Sequence, residues 1–396
     1  MNKIVVTALG IASPIGTGQS EFFSALHRGY SGIDHIKNFN TNFFPVDFGG
    51  EVHSNGNVLE SPPAADRKAL FIRTALDELY KHPAVHRYTA ASRCLYLGAG
   101  IDYFDFPSFT ENRHVSAWTD FSRRAAHVVN ELAGEYSIEG GHCANAAACA
   151  ASSQALGLSM RILRNAENLA VISGGFDSML SHLHYMGFYN LGALSNWQGR
   201  AEGACRPFDK NRCGLVIGEG AAAFLLENAQ NAEPENILCE LAGFASTMDA
   251  YMVTDPEPSG RCLAGAALAA IDDAGISPDA IDVVDLHGTG TIKNALAEMN
   301  ALRIIFPGRY GEIPVFCLKG QIGHLIAACG AMELPGIIDM LKYQRVLPSV
   351  NCDEPDPDLP LNIIRKEPYH TRINYVLKLN AAFGGQNTAL VVKKYE

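Results

Sequence analysis

The stretch GLVIGEGAAAFLLE, from Gly214 to Glu227, consists of an apolar run, a glycine turn and a second apolar run. The stretch VLKLNAAFGGQNTALVV, from Val376 to Val392, repeats this arrangement near the C-terminal end. We predict that each forms a hairpin that closes one half of a duplicated molecule. The polar stretch NAQNAEPEN (228–236) then marks the junction, and the predicted units are residues 1–235 and residues 236–396.

Five further apolar runs predict buried strands, because each is short and ends in glycine. Strands that are apolar without interruption are covered on both faces of their sheet. The segments that follow have helical spacing, so we expect an α/β fold with helices layered against the strands. The runs are Ile4–Gly10, Cys94–Gly100, Leu169–Gly175, Asp282–Gly288 and Pro314–Gly320.

The composition narrows the class of protein. The chain has 396 residues, 47% of them hydrophobic, and 37 glycines, which is typical of a large α/β enzyme. A net charge of −11 without a long basic run argues against a nucleic-acid partner. The ten cysteines form no CxxC pair and no zinc-like spacing, so we expect reduced thiols in a cytoplasmic protein and no metal. The opening MNKIVVTALGIASPIG predicts a strand rather than a signal peptide, and no apolar run is long enough to span a membrane.

Cys149 opens the stretch CAASSQALGLSMRILRNA, whose spacing predicts a helix. A cysteine at a helix N-terminus gains from unpaired backbone N–H groups and from the helix dipole, which favour a thiolate. Cys143 lies before the helix and gains no such field. The alternative, a buried inert thiol, stays open until basic residues are found elsewhere.

The motif HGTGT (287–291) places His287 at the end of a predicted strand. Its glycines leave room for a ligand, and Thr289 and Thr291 offer hydroxyl groups on the same loop. A helix is predicted to begin near Asn294. Ligands bind at the carboxyl ends of strands in α/β folds, so this loop is a candidate site, although His287 could simply cap a turn.

The stretch CLKGQIGHLIAACGAMEL repeats the arrangement. We predict that His324 opens an apolar helix, where the dipole would keep its imidazole neutral and able to donate one hydrogen bond. Lys319 could fix the polarity of the site or pair with a carboxylate such as Glu333; the alternative is an ordinary buried ion pair. The turn after Phe383 is either a plain hairpin turn or a gate whose backbone N–H faces a reacting carbonyl.

Taken in order, a Cys at a helix start, HGTGT, KxxxGH and FGGxN resemble the β-ketoacyl-[acyl-carrier-protein] synthases of the synthase II type. The opening VVTALGIASPIGTGQSEFFSALHRGYSGI and the stretch CRPFDKNRCGLVIGEGAAAFLLE are also similar to that family, so the resemblance covers nearly the whole chain. It implies a thiolase-like fold of two related halves in five αβαβα layers, and an acyltransferase that works as a dimer.

The resemblance also implies a role for each matched residue. Cys149 would attack the acyl thioester, and His287 and His324 would bind the extender thioester and assist its decarboxylation. Lys319 would support the second histidine. The N–H groups of Cys149 and Phe383 would form an oxyanion hole, with Phe383 as gatekeeper. Thr289 and Thr291 would contact the phosphopantetheine arm or the malonyl group, and no metal or redox cofactor would be needed.

Three departures from the family pattern stand out. Ala295 occupies the place of the usual Asp after HGTGT, while the later acid, Glu298, is retained, so Lys319 needs a different partner. The usual RDG is RCG, with Cys213, and the usual FGFGG is AAFGG, with Ala381 and Ala382. The lost aromatic would free volume near the gate. The changes indicate a specialised synthase for a bulky or conjugated acyl chain, as in polyene or aryl-polyene pathways.

Three other classes compete with this interpretation. A chain-length factor is a non-catalytic partner that lacks the active-site Cys, whereas Cys149 is present; the chain could still be the catalytic half of such a heterodimer rather than a homodimer. A degradative thiolase uses a second Cys near its C-terminus, which the glycine-rich loop lacks. An initiating type III synthase would use His and Asn in place of two histidines.

The resemblance implies an acyl carrier protein as partner. That partner is acidic, so a basic docking patch is expected on this acidic chain. Arg67, Lys68 and Arg73, on the helix-like stretch DRKALFIRTALDELY, are the candidates, and a plain solvated helix face is the alternative.

Overall fold

The computed structural model describes residues 2–59, 67–100 and 125–396. The helices in these ranges are α1 (Gln19–His27), α2 (Arg67–Leu79), α3 (Ala125–Glu135), α4 (Ala151–Arg164), α5 (His182–Asn190), α6 (Arg261–Asp273), α7 (Ile292–Ile305), α8 (Lys319–Ile322) and α9 (Cys329–Tyr343). The strands are β1 (Ile4–Ser13), β2 (Gly16–Thr17), β3 (Asp34–His35), β4 (Phe48–Gly50), β5 (His53–Ser54), β6 (Asn57–Val58), β7 (Arg93–Ala99), β8 (His142–Asn145), β9 (Ala170–Ser178), β10 (Ile217–Asn228), β11 (Cys239–Met248), β12 (Val283–Asp285), β13 (Pro314–Phe316), β14 (Arg345–Val346), β15 (Asn362–Ile363), β16 (Tyr369–His370), β17 (Tyr375–Ala382) and β18 (Gln386–Lys393).

The main sheet repeats one pattern of strand directions. Its strands follow the order β15-β13-β12-β17-β18-β11-β1-β10-β9-β7-β8. From β1 outward, two antiparallel pairings, with β10 and then β9, are followed by two parallel pairings, with β7 and β8. From β11 outward, β18 and β17 pair antiparallel, and β12 and β13 follow in parallel. The two sets join where β1 pairs with β11, so the fold is duplicated.

Helices cover both outer faces and fill the space between the two sets of strands. On one side α2 packs against β1, β9 and β10, and on the other α6 packs against β11, β17 and β18. Between them, α4 contacts strands of both sets, and α9 contacts β9, β10 and β17. The result is the five-layer α/β arrangement that the resemblance implied. None of the helices in the described ranges is long and apolar enough to cross a membrane.

All five predicted strands are present, as β1, β7, β9, β12 and β13. Their continuous apolar sequences follow from this layering, because each strand has a helix on one face and other core elements on the opposite face. The C-terminal hairpin is also confirmed: β17 and β18 pair from Tyr375 opposite Lys393 to Ala382 opposite Gln386.

The predicted hairpin within Gly214–Glu227 is wrong. Residues Ile217–Asn228 form one continuous strand, β10, without a turn at its glycines. Glycine is required at these positions because neighbouring backbone leaves no space for a Cβ atom. A Cβ on Gly218 would lie 2.3 Å from the carbonyl oxygen of Ile322, and one on Gly220 would lie 2.4 Å from that of Ala12. Close approach of backbone, rather than a turn, therefore explains the GEG sequence.

Candidate active site

A cavity of about 490 Å³ collects the residues singled out by the sequence motifs. They come from separate elements: the turn before α4, the loops after β12 and α8, and the turn between β17 and β18. The motif residues that line the cavity are Cys149, His287, Thr289, Thr291, His324 and Phe383.

Cys149 lies in a short 3₁₀ turn, Ala148–Ala150, that leads directly into α4. Its predicted position near the helix start is confirmed. The preceding residue, Ala148, has a φ of 45°, which non-glycine residues rarely adopt. Such a conformation costs about 1–3 kcal/mol and persists only where the surroundings enforce it. The strained turn therefore sets the position of the thiol on the cavity wall.

The environment of Cys149 favours a thiol rather than the expected thiolate. The side chain is buried, with the residue 5% exposed, and this burial raises the pKa of Cys149 to about 12. The positive charge of Lys319 and the backbone N–H of Phe383 act in the opposite direction. Desolvation of the charged form outweighs these effects, so the expectation drawn from the helix end alone needs correction.

The raised pKa of Cys149 gives a measurable pH dependence. Below a pKa of about 12 the thiolate fraction grows with pH, so alkylation of Cys149 by iodoacetamide should accelerate about tenfold per pH unit from about pH 7 to about pH 10. Peptide mass mapping over a time course measures the rate, and Cys149→Ala identifies the peptide. A fast rate already level near neutral pH would show a resting thiolate and contradict this expectation.

His287 follows β12 and is held from two sides. Its Nδ1 lies 3.3 Å from Nζ of Lys319 and 3.2 Å from Nδ2 of Asn380, both of which are donors. Its backbone N–H donates to the carboxylate of Glu298. Burial, followed by the charge of Lys319, lowers the pKa of His287 well below its usual value, so its imidazole is neutral at physiological pH.

His324 does not open a helix as predicted. It lies between α8 and α9, where its backbone forms a bridge to Ile217 of β10. Its Nδ1 accepts a hydrogen bond of 3.0 Å from the backbone N–H of Ile326. Burial and the charge of Lys319 lower the pKa of His324 to about 3. The predicted neutral imidazole is present, but burial and Lys319 produce it rather than a helix dipole.

The two imidazoles share one tautomer. Because Nδ1 accepts hydrogen bonds in both His287 and His324, the ring proton of each resides on Nε2. The rings are nearly perpendicular, with centroids 5.2 Å apart. One nitrogen of each ring and Sγ of Cys149 all lie within 4.8 Å of one another. The site therefore combines a thiol with two neutral N–H donors.

A thiol and two imidazoles also form a donor set that zinc binds in proteins. This chain's environment does not suit such an ion. The Nδ1 atoms of His287 and His324 are occupied by donors, so the other ring nitrogen carries a proton where a metal would need a lone pair. The cation of Lys319 beside His287 would repel a metal ion. The donor set fits hydrogen-bond donation better than metal binding.

Lys319 forms a fully buried ion pair with Glu333, which it was expected to find as a partner. The same carboxylate pairs with Lys378, and Lys378 lies 3.3 Å from Asp285. Sequence reasoning missed Lys378, Asp285 and the neighbouring Asn380. The sequence contains a pattern that could have indicated Lys378 and Asn380: a lysine and an asparagine alternate with leucines in the otherwise apolar strand β17. Lys319, Lys378, Glu333 and Asp285 are called the buried charge cluster below.

Glu298 holds the HGTGT loop in place. Its carboxylate accepts the backbone N–H groups of His287 and Gly288 and the side-chain amide of Asn294. Burial raises the pKa of Glu298 to about 7. Glu298 does not line the cavity, so its contacts indicate a supporting part in positioning His287.

Thr289 and Thr291 lie on the cavity wall with their hydroxyl oxygens 2.9 Å apart. The Thr291 hydroxyl also accepts from the backbone N–H of Asn294, which caps α7. That helix begins at Ile292, close to the predicted start. The cap fixes the loop, and both hydroxyls remain beside the space that a ligand would fill.

Phe383 begins the turn between β17 and β18, and Gly384 and Gly385 continue it with φ values of 83° and 77°. Its ring stacks on that of Phe188, with 6.3 Å between centroids and 28° between planes. Ala381 and Ala382 line the cavity next to it. Cys213 lines the cavity as well.

The predicted basic docking patch needs correction. Lys68 is buried and pairs with Asp177, and Arg67 pairs with the buried Glu219. Both acids belong to the sheet, Asp177 to β9 and Glu219 to β10, so these two cations are turned towards the protein interior. Arg73 is the most exposed of the three, with a side chain that is 34% exposed, and it pairs with acids of α3.

The chain belongs to the beta-ketoacyl synthase family. The model of the N-terminal domain of that family matches residues 1–232, and the model of its C-terminal domain matches residues 238–353. The protein is thus an acyltransferase of the condensing class, with the thiolase-like fold.

Comparisons with individual proteins give the same family. The chain is 31% identical over 413 aligned residues to the Staphylococcus aureus protein described as 3-oxoacyl-[acyl-carrier-protein] synthase 2, covering 100% of this chain and 99% of the relative. A type II polyketide ketosynthase solved with its acyl carrier protein and bound to the hexaketide superposes with a TM-score of 0.88 at 26% identity. The ishigamide ketosynthase/chain length factor gives a TM-score of 0.85 at 25% identity. Both structural superpositions cover the whole of the two chains compared.

Proposed function

We propose that this chain joins an acyl group to the two-carbon unit of a malonyl thioester, both delivered by acyl carrier protein. The observation that carries the proposal is the meeting of Cys149 with two neutral N–H donors, His287 and His324, on one cavity wall. A thiol can hold an acyl group, and two N–H donors can hold the oxygen of an enolate as its charge develops.

The first half-reaction loads the chain. Sγ of Cys149 attacks the acyl thioester carbonyl, the carrier thiol leaves, and the proton of Cys149 ends on that thiol. Since the pKa of Cys149 is raised to about 12, the proton leaves as the sulfur attacks rather than beforehand. The backbone N–H groups of Cys149 and Phe383 are proposed to stabilise the oxygen of the tetrahedral intermediate.

The second half-reaction builds the new bond. The malonyl thioester loses carbon dioxide and leaves an enolate, whose oxygen would accept hydrogen bonds from Nε2–H of His287 and of His324. The enolate carbon attacks the acyl carbonyl on Cys149, and the β-ketoacyl thioester leaves on its carrier. The Cys149 thiolate then takes a proton from water. Thr289 and Thr291 would hold the thioester arm, and Lys319 would fix the polarity of the histidines.

The partners and setting follow from the same proposal. Acyl carrier protein would supply both thioesters; in support, a related ketosynthase has been solved in complex with its acyl carrier protein. The chain would act as a homodimer, or as a heterodimer with a chain-length-factor-like subunit, since a related ketosynthase is solved with such a factor. All ten cysteines are free, which supports a cytoplasmic setting.

The direct test supplies the purified chain with acyl and malonyl thioesters of an acyl carrier protein. Mass spectrometry follows the carrier-bound product, and a coupled assay follows carbon dioxide. A β-ketoacyl product and carbon dioxide in equal amounts support the proposal. Acylation of Cys149 without either product from the added malonyl thioester would contradict it.

We further propose that the acyl chain is bulky or conjugated, as in polyene or aryl-polyene synthesis. Ala381 and Ala382 form part of the cavity wall beside the stacked rings of Phe188 and Phe383. Small side chains leave room there, and a flat aromatic surface suits a planar chain.

Ala381→Phe tests this selectivity. A ring at this position would fill cavity volume, so kcat/KM for a conjugated acyl thioester should fall about 10- to 100-fold relative to a short saturated one. Competition between the two thioesters in one reaction measures the ratio. Ala295→Val, a buried change outside the cavity lining, is the control. A wild-type enzyme that elongates both chains equally well would refute the selectivity.

A further inference from the structure

Strands β12 and β17 bring two pairs of polar residues side by side. The strands pair in parallel with Asp285 opposite Lys378. Asn380 shares a face of β17 with Lys378, two residues before it, and His287 lies two residues beyond Asp285, just after the end of β12. The contacts agree: Lys378 reaches Asp285 at 3.3 Å, and Asn380 reaches His287 at 3.2 Å.

Glu333, on α9, is held by both of its oxygens. Oε1 pairs with Lys319, while Oε2 accepts from Lys378 and, at 3.0 Å, from the amide of Asn380. The orientation of that amide is fixed, because its oxygen accepts from the Ser153 hydroxyl and its Nδ2 therefore faces Glu333 and His287. Glu333 therefore contacts both groups that donate to Nδ1 of His287.

Charge balance alone does not require this arrangement. One cation, Lys319, would be enough to neutralise Glu333. Lys378 adds a second cation on the opposite oxygen, and Asp285 compensates its charge. Burial raises the pKa of Asp285 to about 7, against the effect of Lys378. All four groups of the buried charge cluster are withdrawn from solvent, so the extra pair is costly unless it contributes more than neutralisation.

We propose that Lys378 is a positioning residue for the condensation: by fixing one oxygen of Glu333, it keeps Asn380 and Lys319 on Nδ1 of His287 and so aims Nε2–H at the enolate oxygen. This inference rests on the proposed function. Without Lys378, Glu333 is free to turn towards Lys319, so the Nδ2 of Asn380 loses its carboxylate acceptor and Lys319 loses its fixed place beside His287. The loss falls on decarboxylation, because acyl loading depends on Cys149 and the oxyanion donors.

Two variants test the role. Lys378→Met removes the ammonium and keeps most of the side-chain volume, but it leaves Asp285 without its cation. The double variant D285N/K378M removes one charge of each sign, so the net charge is preserved. Acylation of Cys149 is followed by intact mass with an acyl carrier thioester, and decarboxylation by carbon dioxide release from a malonyl carrier thioester, both on the same sample.

The expected result is a change in the ratio of the two rates. Decarboxylation should fall about 10- to 100-fold in both variants, as for a misplaced catalytic group, while acylation stays within about twofold. A smaller folded fraction lowers both rates together and leaves their ratio unchanged, so partial unfolding cannot imitate the effect. Arg87→Met is the matched control, because it removes a cation from the buried Glu227 outside the cavity lining and should leave the ratio at the wild-type value.

An unchanged ratio in both variants would overturn the positioning role and leave the cluster as a structural ion-pair network. A proportional fall in both rates would overturn it as well. The wild-type chain is measured first. If it releases no carbon dioxide from the malonyl thioester, the proposed function itself fails, and this inference fails with it.

Discussion

Replacing Cys149 with Ala will abolish the acyl adduct on the chain and lower condensation by at least about 10³-fold. The reason is that no other thiol shares its position: it lies within 4.8 Å of ring nitrogens of His287 and His324, and the N–H of Phe383 interacts with it. Intact and peptide masses after incubation with acyl carrier thioesters measure the adduct.

The matched control for this experiment is Cys213→Ala, because Cys213 is a second thiol on the same cavity wall. It should retain the adduct on Cys149. An adduct that survives in the Cys149 variant and disappears in the Cys213 variant would reverse the assignment. No adduct on the wild type with any acyl chain would instead favour a chain-length-factor role, or a missing partner subunit.

Local sequence patterns correctly predicted those strands that are buried along their whole length. The five apolar strands and the hairpin of β17 and β18 could be predicted because strands covered on both faces must be apolar throughout. The prediction of a turn failed at Gly218 and Gly220, where glycine is needed because the backbones of Ile322 and Ala12 approach closely. Those neighbours are distant in sequence, so the local pattern could not predict the contact.

For the candidate site too, some features could be predicted from the sequence and others could not. Its lining residues were found because glycine-flanked motifs mark loops where a ligand can approach. Its electrostatics were predicted less well, since the pKa values of Cys149 and His324 follow burial more than helix ends. The buried charge cluster was only half visible from the sequence, because its four members come from four separate elements, α8, α9, β12 and β17. In the sequence each member is a single polar residue in an apolar stretch, and only the fold shows that they are in contact.

Replacing either active-site histidine should also have a large effect on the reaction rate. His287→Ala and His324→Ala should each lower decarboxylation of the malonyl thioester by about 10²–10³-fold, the cost of removing one preorganised donor to a developing oxyanion. Acylation of Cys149 should fall by less than about tenfold, because the donors proposed for that step are the backbone N–H groups of Cys149 and Phe383 rather than the two rings. Carbon dioxide release and intact mass separate the two rates.

Asparagine substitutions distinguish donation from proton transfer at these positions. An amide offers an N–H donor but is no base, so His287→Asn and His324→Asn should recover part of the decarboxylation lost in the Ala variants. His35→Ala, at an exposed side chain that is not part of the cavity lining, should leave both rates unchanged. If the Asn variants are as inactive as the Ala variants, the imidazoles act as bases, and the tautomer set by Lys319, Asn380 and Ile326 would not explain their role. Recovery in the Asn variants would mean that these Nδ1 contacts serve the reaction by keeping the proton on Nε2.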